Sequence, residues 1–514
     1  MKTRSTLIGG LCLILLGVLT VTAVTQGESR VAEAAMKGER DSVRTLLKQG
    51  VDVNAPQGDG MTALHWAAYK DDLEMAQMLV YAGAKAAASL RINAMTPLFF
   101  ACQNGNAGMV ELLLKAGADP NAALKNGATP LMYGSRAGDA QVVRLLLDKG
   151  ASPNTVEPGR GETALMFAAA SNRAEAIQVL LSHGARATAT TKVLDIAARN
   201  AAARGPARGA RAGGAVMEER PPDVSTMGGM TALLFAARQG HAEAVKALID
   251  GGADINGRNA GDQATPLLTA VINGHFDLAM WLLSKGADGK LASTAGATPL
   301  YATINLKWAL VAEYPQPETK NEKTSHLELM KALLDRGADP NVQIKNELWY
   351  TGFASSRTQI DAAGATPLWR ASQSSDVPAM RLLINRGADP RIKSFNGQTP
   401  LHIAAGAGVH GNQEVTALGS WMPGVRYLVE ELGAAVNEKD GKGLTALHHA
   451  AARGDNDMIV YLVAKGADPT VVGKAGETIA DMANGPRQRI QPFYETVALL
   501  QLLGSKNSHK CVSC

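Results

Sequence analysis

A phrase of threonine, then alanine or proline, then leucine returns along this chain at Thr62, Thr96, Thr129, Thr163, Thr231, Thr265, Thr298, Thr366, Thr399 and Thr445, with a weaker copy at Thr478. Successive spacings are 34, 33, 34, 68, 34, 33, 68, 33, 46 and 33 residues. A fixed period of this length is the mark of a repeat array, in which each unit is one small structure that cannot hide its apolar face alone. About 20 residues after the phrase comes a second landmark, a Leu-Leu pair and then Gly-Ala-Asp or a close variant, as in Leu113-Leu114 with Gly117-Ala118-Asp119.

One unit shows the physics. Thr96 stands where a helix N-cap belongs, with its hydroxyl placed to take a free backbone N–H. Pro97 suits the first helical position, where a missing N–H costs nothing. Leu98, Phe99, Ala101 and Cys102 supply an apolar side, and Gly105 ends the helix by entering the left-handed region. Met109, Val110, Leu112, Leu113 and Leu114 predict a second helix that stops at Gly117. Helices of eight to ten residues are marginal alone and must stack on neighbours. Aromatics make up only 4% of the 514 residues, which suits thin layers of Leu and Ala better than one large core. Paired alanines at Ala67-Ala68, Ala168-Ala169, Ala236-Ala237 and Ala451-Ala452 let the layers approach closely.

The phrases Thr62-Ala63-Leu64-His65-Trp66-Ala67-Ala68, Thr399-Pro400-Leu401-His402-Ile403-Ala404-Ala405 and Thr445-Ala446-Leu447-His448-His449-Ala450-Ala451 resemble the ankyrin repeat, over roughly residues 31 to 503. The resemblance is to an exported, bacterial protein with many repeats. It implies an all-α solenoid of eleven or twelve helix-turn-helix units with projecting hairpin loops. Partners of such proteins bind a concave face made of hairpin tips and first helices. It also implies that His65, His402 and His448, with Thr62, Thr399 and Thr445, are structural and stiffen each unit.

The period divides the chain. Residues 31–187 hold the N-terminal repeats and their cap, and residues 230–503 the C-terminal ones. Between them, residues 188–229 contain Arg199, Arg204, Arg208, Arg211 and Arg220 among Ala, Gly and Pro, a composition that cannot bury a core. A basic arm for nucleic acid is the sharper reading of this segment and a solvated loop the plainer one. The absence of interleaved aromatics favours the loop, and no nucleic-acid partner is expected. Further insertions fall at 314–324, 342–364 and 406–422. The second carries Leu348, Trp349, Tyr350 and Phe353, an aromatic cluster on a long finger and a candidate contact with a protein partner.

Lys2 and Arg4, the apolar run Leu7 to Val21, and Val21-Thr22-Ala23 predict an export signal over residues 1–23, cleaved near Ala23. The run is too short to span a bilayer, which takes roughly 20 residues. The expected location is periplasmic or secreted. Fifty-one basic and 47 acidic residues leave a net charge of +4, so any charged site must be local. The four cysteines, Cys12, Cys102, Cys511 and Cys514, are too few for a disulfide scaffold.

No hydrolase elbow, phosphate loop or His-Glu-x-x-His occurs, so the chain is expected to bind rather than catalyse, with no cofactor. The tail 504–514 ends in His509, Cys511 and Cys514. A Cys-x-x-Cys pair fits a local disulfide, free thiols, an intermolecular bridge or half a metal site. Haem attachment would require a His after the second Cys, which is missing. A redox or metal-handling protein that presents this pair is the alternative to an interaction scaffold.

Overall fold

The computed structural model of the chain describes residues 29–196, 226–308, 319–346, 348, 362–407, 417, 419–484 and 492–508. Among them, twelve pairs of short antiparallel helices follow one another, starting with Arg30–Lys37 and Arg40–Lys48 and ending with Ile479–Asn484 and Tyr494–Leu502. The fold is an all-α ankyrin-repeat solenoid. The chain packs as two compact units. The first takes the described residues up to Lys192, with Thr231–Ala236 and His241–Ala253. The second takes Val193–Met230, Ala237–Gly240 and the residues from Asp254 onward.

Within the first unit, the first helix of each repeat packs on the first helix of the next, from Arg30–Lys37 through Ala63–Tyr69, Pro97–Asn104, Pro130–Ala137 and Ala164–Ala170. Small buried residues at one position pair make this possible. Ala67 and Ala68, Ala101 and Cys102, and Ala168 and Ala169 are all fully buried. At Gly134 a Cβ would stand 2.9 Å from Val142 Cγ1, so the layer there closes only over a bare backbone. In the Thr445 repeat the fully buried pair is Ala450 and Ala451, whereas Ala452 is half-buried. The layer-facing pair therefore lies one residue earlier than the alanine run suggested, because the helix phase is set by Thr445. The Cys102 thiol belongs to the corresponding layer of the Thr96 repeat, and burial pushes its pKa well above the ordinary thiol range. Such a thiol is inert.

The expected caps form at most of the repeat threonines, but not at Thr163. The Thr62, Thr129, Thr265, Thr298, Thr366 and Thr399 side chains accept a backbone N–H of the first turn. Thr96 has the same extended backbone but makes no such bond, so its repeat is held by Pro97 and packing instead. Gly105 does end its helix with φ 73°.

Both doubled spacings are insertions rather than lost repeats. Val193–Asp195 pairs antiparallel with Thr226–Gly228, Val193 opposite Gly228, so the chain leaves and returns at one place. The ends of the 188–229 segment are thus built into structure, and residues 197–225 lie outside the described ones. The Thr231 repeat then packs directly on the Thr163 repeat. Helix Ala242–Asp250 lies on Ala174–Ser182, and His241 Nδ1 stands 3.2 Å from the Ala169 carbonyl. In the second unit, Pro367–Gln373 and Val377–Ile384 likewise pack on Pro299–Lys307 and His326–Asp335. The 406–422 insertion separates Pro400–Ala404 from Met422–Arg426, and the latter runs on into a π-helical turn at Tyr427–Glu431.

Candidate partner-binding face

Four residues after each repeat threonine of the first unit stands an aromatic: Trp66, Phe100, Tyr133, Phe167 and Phe235. The first four are half-buried and Phe235 is 9% exposed. Their neighbours Leu64, Leu98, Leu131 and Leu165 point inward and are buried, so the aromatics line the opposite side of the first helices. Tyr69, one helical turn after Trp66, is 57% exposed. Its ring meets Trp66 edge-on at 5.8 Å and Phe100 at 5.6 Å. Tyr133 packs edge-on against Phe99 at 5.4 Å, with the Arg136 guanidinium 5.1 Å from its centroid.

The hairpins adjoin this row. The Trp66 indole N–H donates to Gln57 Oε1 in the hairpin before it, at 2.9 Å. Successive tips are tied by backbone bonds. Arg91 N–H donates to the Asp59 carbonyl at 3.0 Å, Lys125 N–H to that of Asn93 at 3.2 Å, and Lys192 N–H to that of Arg160 at 2.8 Å. These bonds hold the side chains of Arg91, Lys125 and Lys192 at matching places along the tips. In the second unit the aromatic position carries Thr269, Ala302, Arg370, Ile403 and His449 instead. The aromatic row is thus a property of the first unit.

This row is legible in the sequence, since the aromatics keep the repeat period; the aromatic cluster singled out there lies instead in an interrupted repeat. There, Leu348 is 3% exposed and sits in a cluster with Tyr301, Ile344, Trp369 and Ile403. Its side chain is core rather than contact surface, because it lies in one buried cluster with residues of three first helices. That corrects the expectation for this residue. Trp349, Tyr350 and Phe353 lie outside the described residues, as do His509, Cys511 and Cys514. Among the described residues no group of three or more His, Cys, Asp and Glu is arranged to hold a metal.

The three histidines of the repeat phrase are built into the frame. At His65, Nδ1 faces the Thr62 N–H at 3.2 Å and the Thr62 hydroxyl at 2.8 Å, while Nε2 faces the Met95 carbonyl at 3.2 Å. A backbone N–H can only donate and a carbonyl can only accept, so the ring is neutral with its proton on Nε2. Burial lowers the pKa of His65 and of His402 to about 4, and that of His448 to about 3.

The second unit holds a buried polar network on the helix-turn side of the Thr366 repeat. Arg370, 4% exposed, donates to Asn305 Oδ1 at 2.7 Å and Ser374 Oγ at 2.6 Å. Asp376, 2% exposed, accepts from the Trp308 indole at 2.7 Å and from Ala379 N–H at 3.1 Å, with His326 Nε2 at 2.9 Å. Burial alone would raise the Asp376 pKa, but the bonds from His326, Trp308 and Ala379 bring it below the ordinary carboxylate value. Ser375 sits here with φ 54°, and its Oγ accepts the Gly424 N–H at 2.8 Å. These charged groups are hydrogen-bonded and enclosed, so they tie three repeats together.

An ankyrin-repeat family model of three copies matches residues 12–89, 31–124, 86–157, 215–293, 322–418 and 368–473, and a many-copy ankyrin-repeat model matches residues 137–181. The chain is 38% identical over 91 residues to palmitoyltransferase Hip14 of Drosophila melanogaster, across 18% of this chain and 14% of that protein. It is 36% identical over 118 residues to zygote-specific protein 3 of Chlamydomonas reinhardtii, across 23% of this chain and 31% of that one. It is 35% identical over 96 residues to ankyrin repeat and SOCS box protein 3 of Homo sapiens, across 18% of each. The chain thus spans less than a third of the length of these relatives. All three organisms are eukaryotes, which lends no support to the bacterial expectation.

Proposed function

The chain belongs to the ankyrin-repeat family, and from that premise we propose that it is an exported scaffold that binds another protein through the first helices and hairpin tips of its N-terminal unit. The aromatic row carries this reading. Large rings left half-open at one position of successive repeats cost apolar exposure, and aromatic side chains are enriched where protein partners dock. The second unit, of the same fold, fills that position with Thr269, Ala302, Arg370, Ile403 and His449. Stacking alone therefore does not require an aromatic there.

Site-specific photocrosslinking tests the reading. A crosslinker at Tyr69 should capture a defined partner in the native compartment, and one at Tyr81, a highly exposed residue on a second helix, should not. Equal capture at both, or at Tyr81 alone, rejects the face.

Export rests on Lys2, Arg4 and the apolar run Leu7 to Val21, which lie outside the described residues. No helix among the described residues is long and apolar enough to cross a membrane. The N-terminus of the mature protein tests this part. It should begin just after Ala23, and a chain that retains Met1 in the cell interior is not exported by this route.

A further inference from the structure

Arg91, Lys125 and Lys192 make no ion pair among the described residues, and the exposed Arg160 has only Glu162 at 4.0 Å. A cation thus stands at four successive hairpin tips of the first unit. The acids beside them are engaged locally. Asp59 accepts the Met61 N–H at 2.9 Å. Glu157 accepts backbone N–H groups of Gly159 at 2.7 Å and Glu162 at 3.2 Å, and that of Arg160. Part of the cation row is pinned from its base. The Lys125 ammonium reaches the Arg91 carbonyl at 3.3 Å, and the Lys192 ammonium the Pro158 carbonyl. Beside the tips run the half-open rings of Trp66, Tyr69, Phe100, Tyr133 and Phe167.

We propose that this face takes an extended acidic segment of the partner protein, with carboxylates set against the tip cations and apolar side chains against the aromatic row. The inference rests on this face being the binding face. The spacing follows from geometry. Packed helices stand about 8–10 Å apart, and an extended chain advances about 3.3 Å per residue. Every third residue of an extended peptide therefore meets the next repeat, so an acid at every third position matches one cation per tip. Single-stranded nucleic acid, which is also anionic, fits less well. Base stacking needs an open ring face, whereas Tyr69 meets its neighbours edge to face.

The test uses the full-length protein and fluorescence anisotropy with three labelled probes. These are a synthetic peptide of repeated Asp-Pro-Leu triplets, its Lys-Pro-Leu counterpart and an oligothymidylate of similar length. The Asp peptide should bind at least tenfold tighter than the other two. Binding should weaken as salt shortens the Debye length, from about 30 Å at 0.01 M to about 8 Å at 0.15 M. The triple variant Arg91→Glu, Lys125→Glu, Arg160→Glu should lose at least tenfold. Tyr69→Ser should weaken binding severalfold. Unchanged thermal unfolding of both variants shows that each is folded. Equal binding of both peptides, tighter binding of the oligothymidylate, or indifference to the charge reversal overturns the inference. Absence of any peptide binding while a native partner still crosslinks at Tyr69 overturns the acidic segment and leaves the face standing. Absence of both removes the face as well.

Discussion

His402 joins its own repeat to the next through Leu444. Its Nε2–H donates to the Leu444 carbonyl at 3.2 Å, while Nδ1 accepts the Thr399 N–H at 3.1 Å. One neutral ring thereby satisfies a helix N-terminus and a hairpin carbonyl of the following repeat. His65 does the same between Thr62 and Met95. The repeat phrase is therefore both a cap and a joint, and protonation would turn its acceptor nitrogen into a donor facing a donor.

Acid should loosen these joints. The folded-state pKa of His65 is lowered from 6.5 to about 4, so between those values the unfolded chain binds the proton and the folded chain does not. Stability is fully present above pH 6.5 and declines as pH falls toward 4, by on the order of 3 kcal/mol for this residue. Denaturant midpoints at pH 7 and pH 5 should differ accordingly. His65→Gln, with no titrating ring, should flatten the slope, and an unchanged slope would refute the assignment.

The caps should separate by position. Thr62→Val removes a hydroxyl bonded to the first turn of its helix and should cost about 0.5–2 kcal/mol. Thr96→Val removes one that caps nothing and should stay within about 0.5 kcal/mol. Equal losses in thermal unfolding would show that the difference between the two threonines is not energetic.

Leu348→Ala should behave as a core substitution. The residue is buried among Tyr301, Ile344 and Trp369, so the loss should be about 2–5 kcal/mol, the same range expected for the fully buried Leu113→Ala. Crosslinking at Tyr69 should be unaffected by the Leu348 change. Wild-type stability together with lost partner capture would return Leu348 to the contact surface.

Asp376→Ala should be among the costliest single changes in the second unit. It leaves the Trp308 indole and Ala379 N–H groups and the His326 ring without their shared acceptor. Breaking a buried, hydrogen-bonded charge commonly costs about 3–5 kcal/mol. Asp376→Asn, which keeps the shape and one acceptor oxygen, should cost less. If alanine is tolerated as well as asparagine in denaturant titrations, the network does not lock these repeats.

The period, the helix pairs, the caps and the layered alanines were legible in the sequence because each is a local property. A threonine before Pro-Leu sets the extended backbone at the start of a helix whatever lies elsewhere, and a glycine after it stops the helix through its own φ. The aromatics at Trp66, Phe100 and Tyr133 were legible in the same way, as a position that keeps the period. Only the tertiary structure decided which of these residues are open. Leu348 and Phe395 are both apolar residues on loops, yet the first is buried against helices that begin at Thr298 and Thr366, while the second is 65% exposed. Arg370 occupies the aromatic position but is enclosed by Asn305 and Trp308, more than sixty residues earlier in the chain. Burial depends on atoms brought together across repeats, and a repeat phrase, being the same in each unit, does not encode which neighbour will cover it.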